Sequence, residues 1–95
     1  MTINHSVDGN VLTISLEGRL DTATAPELEN ALKECMKDGM EVVFDMEKTD
    51  YVSSAGLRVI LMARKRGASA KVIHANEIVK SVFEVTGFDN IVPIE

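Results

Sequence analysis

Leu12, Ile14 and Leu16 alternate with Thr13, Ser15 and Glu17. That two-residue period predicts a strand that buries one face. Gly18 is expected to end it. A shorter strand precedes it, set off by the turn chemistry of Asp8-Gly9. From Leu28 the period changes. Leu28, Ala31, Leu32, Cys35 and Met36 recur at i, i+3, i+4, i+7 and i+8, the stripe of an amphipathic helix. The polar run Thr22 to Ala25 leads into it, with Pro26 in its first turn, and Gly39 is expected to stop it. Val42-Val43-Phe44 is an unbroken apolar run between charges and predicts a short central strand covered on both faces. Asp45 to Asp50 is expected to be a polar loop. A second helix is predicted from about Ser54 to Arg66, with Leu57, Ile60, Leu61 and Arg64 on one side and Gly67 at its end. Lys71-Val72-Ile73 predicts another buried strand. Asn76 is placed to cap a third helix carrying Ile78, Val79, Val82, Phe83 and Val85, closed by Gly87. Ile91-Val92-Pro93-Ile94 reads as a last strand, which Pro93 confines to an edge or an end.

The predicted order is β-β-α-β-α-β-α-β. Strands alternating with helices imply right-handed crossovers, hence an α/β domain with a mostly parallel, mixed sheet of about five strands and three or more helices. The first strand is expected to run antiparallel to its neighbour. Sites in such sheets gather outside the carboxyl ends of the strands. That directs attention to the segments Arg19 to Thr24 and Lys48 to Ser54.

Composition narrows the function. A length of 95 residues suits one domain, 1–95, and leaves little room for a second activity. The net charge of −5 argues against direct nucleic-acid binding, which needs clustered Lys and Arg. No basic leader followed by an apolar run opens the chain, and no apolar segment approaches a bilayer's width, so no membrane insertion is expected. The single cysteine, Cys35, suits a reducing compartment and points to the cytoplasm. It falls on the apolar stripe of the first helix and is expected to pack there.

Ser53-Ser54-Ala55-Gly56-Leu57 is the run with most chemical content. A serine at a helix start ordinarily caps it, its hydroxyl accepting a bond from a free N–H of the first turn. The same place suits a phosphate, which meets those N–H groups and the positive end of the helix dipole. Gly56 is costly inside a first turn relative to alanine, which suggests that something approaches the backbone there. Arg64, Lys65 and Arg66 suit a helix C-terminus. Asp21 reads equally as the start of an Asx turn and as a carboxylate that shapes access to a neighbouring serine. His5 and His74 fall in predicted strands without metal-ligand spacing, so no metal or cofactor is expected. No nucleophile elbow, phosphate-binding loop or dinucleotide fingerprint is present. A serine hydrolase would need a histidine and an acid beside Ser54, so no enzymatic activity is expected.

Three segments together resemble the STAS family, the anti-sigma factor antagonists. They are Asp45 through Leu61, Gly18-Arg19-Leu20-Asp21 with Thr24-Ala25, and Val79 to Phe88 with its Val85-Thr86-Gly87-Phe88. The resemblance covers essentially the whole chain. It implies partner switching. The unphosphorylated protein binds an anti-sigma factor that is also a serine kinase, and so frees the sigma factor. Phosphorylation of the serine two places before the helix Gly-Leu, here Ser54, switches it off. A metal-dependent serine phosphatase resets it. The implied partner surface comprises Asp21, Thr24, Ser53, Ala55, Gly56 and Arg58. Many members carry an acid immediately before the modified serine; this chain has Ser53. Members without phosphorylation also occur, among them accessory subunits of lipid-transport complexes.

Overall fold

In the computed structural model, residues 1–95 form one four-stranded sheet with three helices on one face. Strands β1 (Thr2–Asp8) and β2 (Val11–Leu20) make an antiparallel hairpin around Gly9 and Asn10. Helix α1 (Ala25–Cys35) leads to β3 (Glu41–Val52), which pairs parallel to β2. Helix α2 (Ser54–Arg66) leads to β4 (Ser69–Ile73), parallel to β3. Helix α3 (Glu77–Thr86) and a single 3-10 turn (Phe88–Asn90) follow. The sheet order is β1-β2-β3-β4. Each crossover therefore steps in the same direction, and right-handed connections then place every helix on the same side. The other face of the sheet stays open.

The core is a cluster of 22 buried residues between sheet and helices. Leu12, Ile14, Leu16 and Leu20 of β2 point into it, together with Val42, Phe44, Met46 and Val52 of β3. The helices contribute Leu28 and Leu32 from α1, Leu57, Val59, Ile60 and Ala63 from α2, and Val79 and Phe83 from α3. Leu61 is only half-buried and Arg64 is exposed, so the inward face of α2 is rotated from the predicted one. Cys35 is half-buried against the core edge, as the helical stripe suggested.

The largest departure from the sequence reading is β3. The segment Asp45 to Asp50 is strand, not loop. Ser15 pairs with Asp45 but Glu17 with Lys48, and Gly18 pairs with Thr49 but Arg19 with Tyr51. One extra residue is thus inserted in β3 twice, as two bulges. Each bulge resets which residues face inward. The buried positions run Val42, Phe44, Met46, then Thr49, then Val52. Thr49 is the one buried polar side chain, and its hydroxyl donates to the Leu16 carbonyl at 2.8 Å. Gly18, expected to end β2, instead sits within it at φ +108°, beside the second bulge. A side chain would be strained there.

The predicted fifth strand is reduced to one parallel bridge between Val72 and Ile94. It is fixed by Val72 N–H donating to the Pro93 carbonyl and Glu95 N–H donating to the Val72 carbonyl, both at 2.9 Å. Pro93 has no N–H to extend the ladder. Helix α1 ends at Cys35, before Gly39, because Met36 turns to extended backbone.

Candidate functional site

The carboxyl ends of β2 and β3 lie side by side, with Leu20 opposite Val52. The chain leaves β2 into the Asp21 turn and leaves β3 into the start of α2. One bond joins the two exits: Ser53 N–H donates to the Leu20 carbonyl at 2.8 Å. The sequence-predicted residues of both segments therefore meet on one end of the sheet.

The Asp21 segment is an Asx turn. Asp21 Oδ1 accepts from Ala23 N–H (3.0 Å) and Thr24 N–H (3.1 Å). Thr24 closes the turn with its hydroxyl, which donates to the Arg19 carbonyl at 2.6 Å and accepts from Asp21 N–H at 2.8 Å. Asp21 Oδ1 is a second neighbour of that hydroxyl at 3.2 Å. These donors, Thr24 N–H foremost, hold the Asp21 carboxyl below its ordinary range; partial burial opposes the shift, and Arg19 adds a weaker attraction. Arg19 Nε lies 3.7 Å from Asp21 Oδ2, and its guanidinium stands 4.8 Å from the Tyr51 ring centroid. Of the two readings of Asp21, the turn is present. Thr24 is half-buried, and its hydroxyl is committed within that turn.

At the start of α2, the two serines take different roles. Ser53 is the N-cap, in extended backbone, and its hydroxyl accepts from Gly56 N–H at 3.5 Å, a long bond. Ser54 is the first helical residue, exposed, and its hydroxyl makes no hydrogen bond. The cap is therefore Ser53 and not Ser54, because only the residue before the first helical turn can aim its side chain back at those N–H groups. No acidic residue occupies the first turn of α2. Arg58 is exposed one turn further on, and Ala55 is half-buried.

Gly56 is buried, and the close approach its identity suggested comes from inside. A Cβ built there would lie 2.6 Å from Leu20 Cγ, 2.8 Å from Leu20 Cδ2 and 3.2 Å from the Leu20 carbonyl oxygen. Glycine lets α2 seat directly on the end of β2. Gly56 thus lies beneath the exposed helix start, packed on Leu20.

The open face carries a group that sequence spacing did not reveal. His74, just past β4 at φ +60°, pairs its Nδ1 with Asp45 Oδ1 at 3.0 Å. Asp45, Glu47 and His74 each offer a ligand atom, all within 4.8 Å of one another. Asp45 and His74 are 29 residues apart along the chain, so only the β3–β4 register brings His74 to the two acids. Beside them lies a shallow cavity of about 280 Å³ lined by polar residues including Asn4, Ser15 and Lys48. His74 is held on Asp45, and His5 lies in β1; neither is hydrogen-bonded to Ser54. No helix is long and apolar enough to cross a membrane.

A one-faced, four-stranded sheet with a serine-headed helix beside an Asx turn defines a small α/β domain, and comparison with known proteins supplies the family. The family model described as "Mlab, STAS domain" matches residues 3–93, so this chain belongs to the STAS domain family. A protein of Bordetella bronchiseptica, BtrV, provisionally named an anti-sigma factor antagonist, is 37% identical over 93% of this chain and 79% of its own. The anti-sigma-B factor antagonist of Bacillus subtilis is 28% identical over 99% of this chain and 92% of its own. Among solved structures, an anti-sigma factor antagonist from Mycobacterium paratuberculosis superposes with a TM-score of 0.83 at 23% identity, covering 98% of this chain and 83% of that one. The unphosphorylated form of the antagonist SpoIIAA gives 0.79 at 14% identity, over 99% and 88% of the two chains. These two share the fold. The names of the relatives describe antagonists rather than catalysts.

Proposed function

We propose that this chain is a cytoplasmic anti-sigma factor antagonist controlled by phosphorylation of Ser54. Unphosphorylated, it binds an anti-sigma factor serine kinase and so releases the sigma factor. Phosphorylated on Ser54, it lets go, and a metal-dependent serine phosphatase restores it. The observation that carries this reading is the exposed, unbonded hydroxyl of Ser54 at the head of α2, next to a Ser53 whose hydroxyl is already engaged. A kinase can reach Ser54 without breaking the cap. A phosphate there gains the free N–H groups of the first turn and leaves the fold intact. A partner interface that accepts a neutral hydroxyl rejects the same site as a dianion, because the charge must be desolvated on docking.

Calorimetry against the anti-sigma kinase of the chain's own host tests the charge switch. Ser54→Ala should bind like the wild type, and Ser54→Asp should bind at least tenfold more weakly. Equal affinities for the two variants would refute it. The alternative, which the family resemblance also implies, is a STAS accessory subunit of a transport complex that is never phosphorylated. In that case both variants would co-purify equally with a transport ATPase.

A further inference from the structure

Phosphorylation as proposed would place a dianion near an existing anion. Asp21 is fixed by its own turn beside the start of α2. The cation nearest to Asp21 is Arg19, which is already engaged with that carboxylate and with the Tyr51 ring. The first turn of α2 contributes no charged side chain at all. The next position on Ser54's own stripe is Arg58, four residues on. Residues at i and i+4 of a helix stand one above the other, with Cβ atoms about 5–6 Å apart, well within the reach of an arginine. Arg58 is exposed and has no carboxylate within ion-pair distance, whereas Arg66 is paired with Asp38 and Lys71 with Glu95.

Resting on the reading that Ser54 is the acceptor, we infer that Arg58 is the receptor for its phosphate within the same chain. The planar guanidinium closes back over one helical turn and donates two N–H bonds to the phosphoryl oxygens. Phosphorylation then changes the surface twice. It adds an anion at Ser54, and it withdraws the first cation of the stripe that continues through Met62 to Lys65, both exposed. A lysine at 58 would supply the charge without the fork.

The test needs no kinase. Phosphoserine is installed genetically at position 54, and four chains are compared: Ser54 or phosphoserine, each with Arg58 or Arg58→Gln. Thermal midpoints are read at low and high salt, and the Arg58 Nε–H resonance is followed by 15N spectroscopy. The phosphate should raise the midpoint by about 1–4 °C more with Arg58 than with Arg58→Gln. That excess should shrink near 1 M salt, and Arg58→Lys should keep part of it. The Nε–H resonance should shift and sharpen only in the phosphorylated chain. Equal midpoint changes in the two backgrounds would overturn the assignment. So would an excess without any change in the resonance, which charge attraction without a bond to the guanidinium would produce. A kinase that leaves Ser54 unmodified would sink the proposed switch and leave this result standing. Failure here with Ser54 phosphorylated would sink only the role of Arg58.

Discussion

Replacing Gly56 with alanine adds a single carbon at the joint between the two halves of the site. That carbon would lie 2.6 Å from Leu20 Cγ and 2.8 Å from Leu20 Cδ2, far inside contact distance. Leu20 is fully buried and has no solvent to swing into. The Leu20 backbone is also fixed, since its carbonyl accepts from Ser53 N–H at 2.8 Å. The remaining response is for α2 to lift from the end of β2. Overpacking of this kind costs about 1–3 kcal/mol. Alanine's better helix propensity offsets up to about 1 kcal/mol, and less within a first turn. The net expectation is a loss of about 1–2 kcal/mol, or roughly 5–15 °C in thermal midpoint for a domain of this size. Thermal unfolding by circular dichroism measures it. In a Leu20→Ala background, which removes the two closest atoms and leaves the carbonyl oxygen at 3.2 Å, most of the penalty of Gly56→Ala should disappear, as expected for two residues in contact. An unchanged or raised midpoint for Gly56→Ala, with partner binding lost, would refute this reasoning and place Gly56 at the partner instead.

Other substitutions separate neighbours that look alike in sequence. Ser53→Ala should lose about 0.5–1 kcal/mol of stability through its cap, whereas Ser54→Ala should stay within about 0.5 kcal/mol of wild type; urea titration compares them. Thr49→Val keeps the shape but leaves the buried Leu16 carbonyl without its donor, so it should cost about 1–3 kcal/mol in the same assay. Asp21 carries a depressed pKa in the folded chain, so its stabilisation is present above the unfolded carboxylate pKa of about 3.9 and is lost as pH falls through the lower folded value. The stability advantage of wild type over Asp21→Asn, measured by urea melts across pH 2–7, should therefore shrink below about pH 4; a constant difference would contradict the assignment.

What the sequence disclosed followed the range of the interaction. The β2 alternation and the α1 stripe depend on neighbours within a turn or two, and both were legible. The extent of α2, from about Ser54 to Arg66, was legible for the same reason. The second half of β3 was not. Met46, Thr49 and Val52 are spaced by three, and two bulges turn a strand into a pattern that reads as loop, with Glu47, Lys48 and Asp50 exposed. Gly56 announced a close approach, but the approaching atom belongs to Leu20, 36 residues earlier, and no local rule names it. The choice between Ser53 and Ser54 as cap turns on one residue of helix boundary, which propensity does not resolve. His74 meets Asp45 only through the β3–β4 register. The gathering of Asp21 with the serines was expected from strand ends and family resemblance, and the pairing of Leu20 with Val52, closed by a bond from Ser53 to Leu20, accomplishes it.

The central claim is that Ser54 is the residue through which this antagonist is switched. Tandem mass spectrometry of the chain after incubation with its host's anti-sigma factor kinase and ATP tests it most directly. The account predicts one phosphate per chain, located on Ser54, with none on Ser53. Phosphate on Ser53, or a chain left unmodified while the kinase is active, would contradict it.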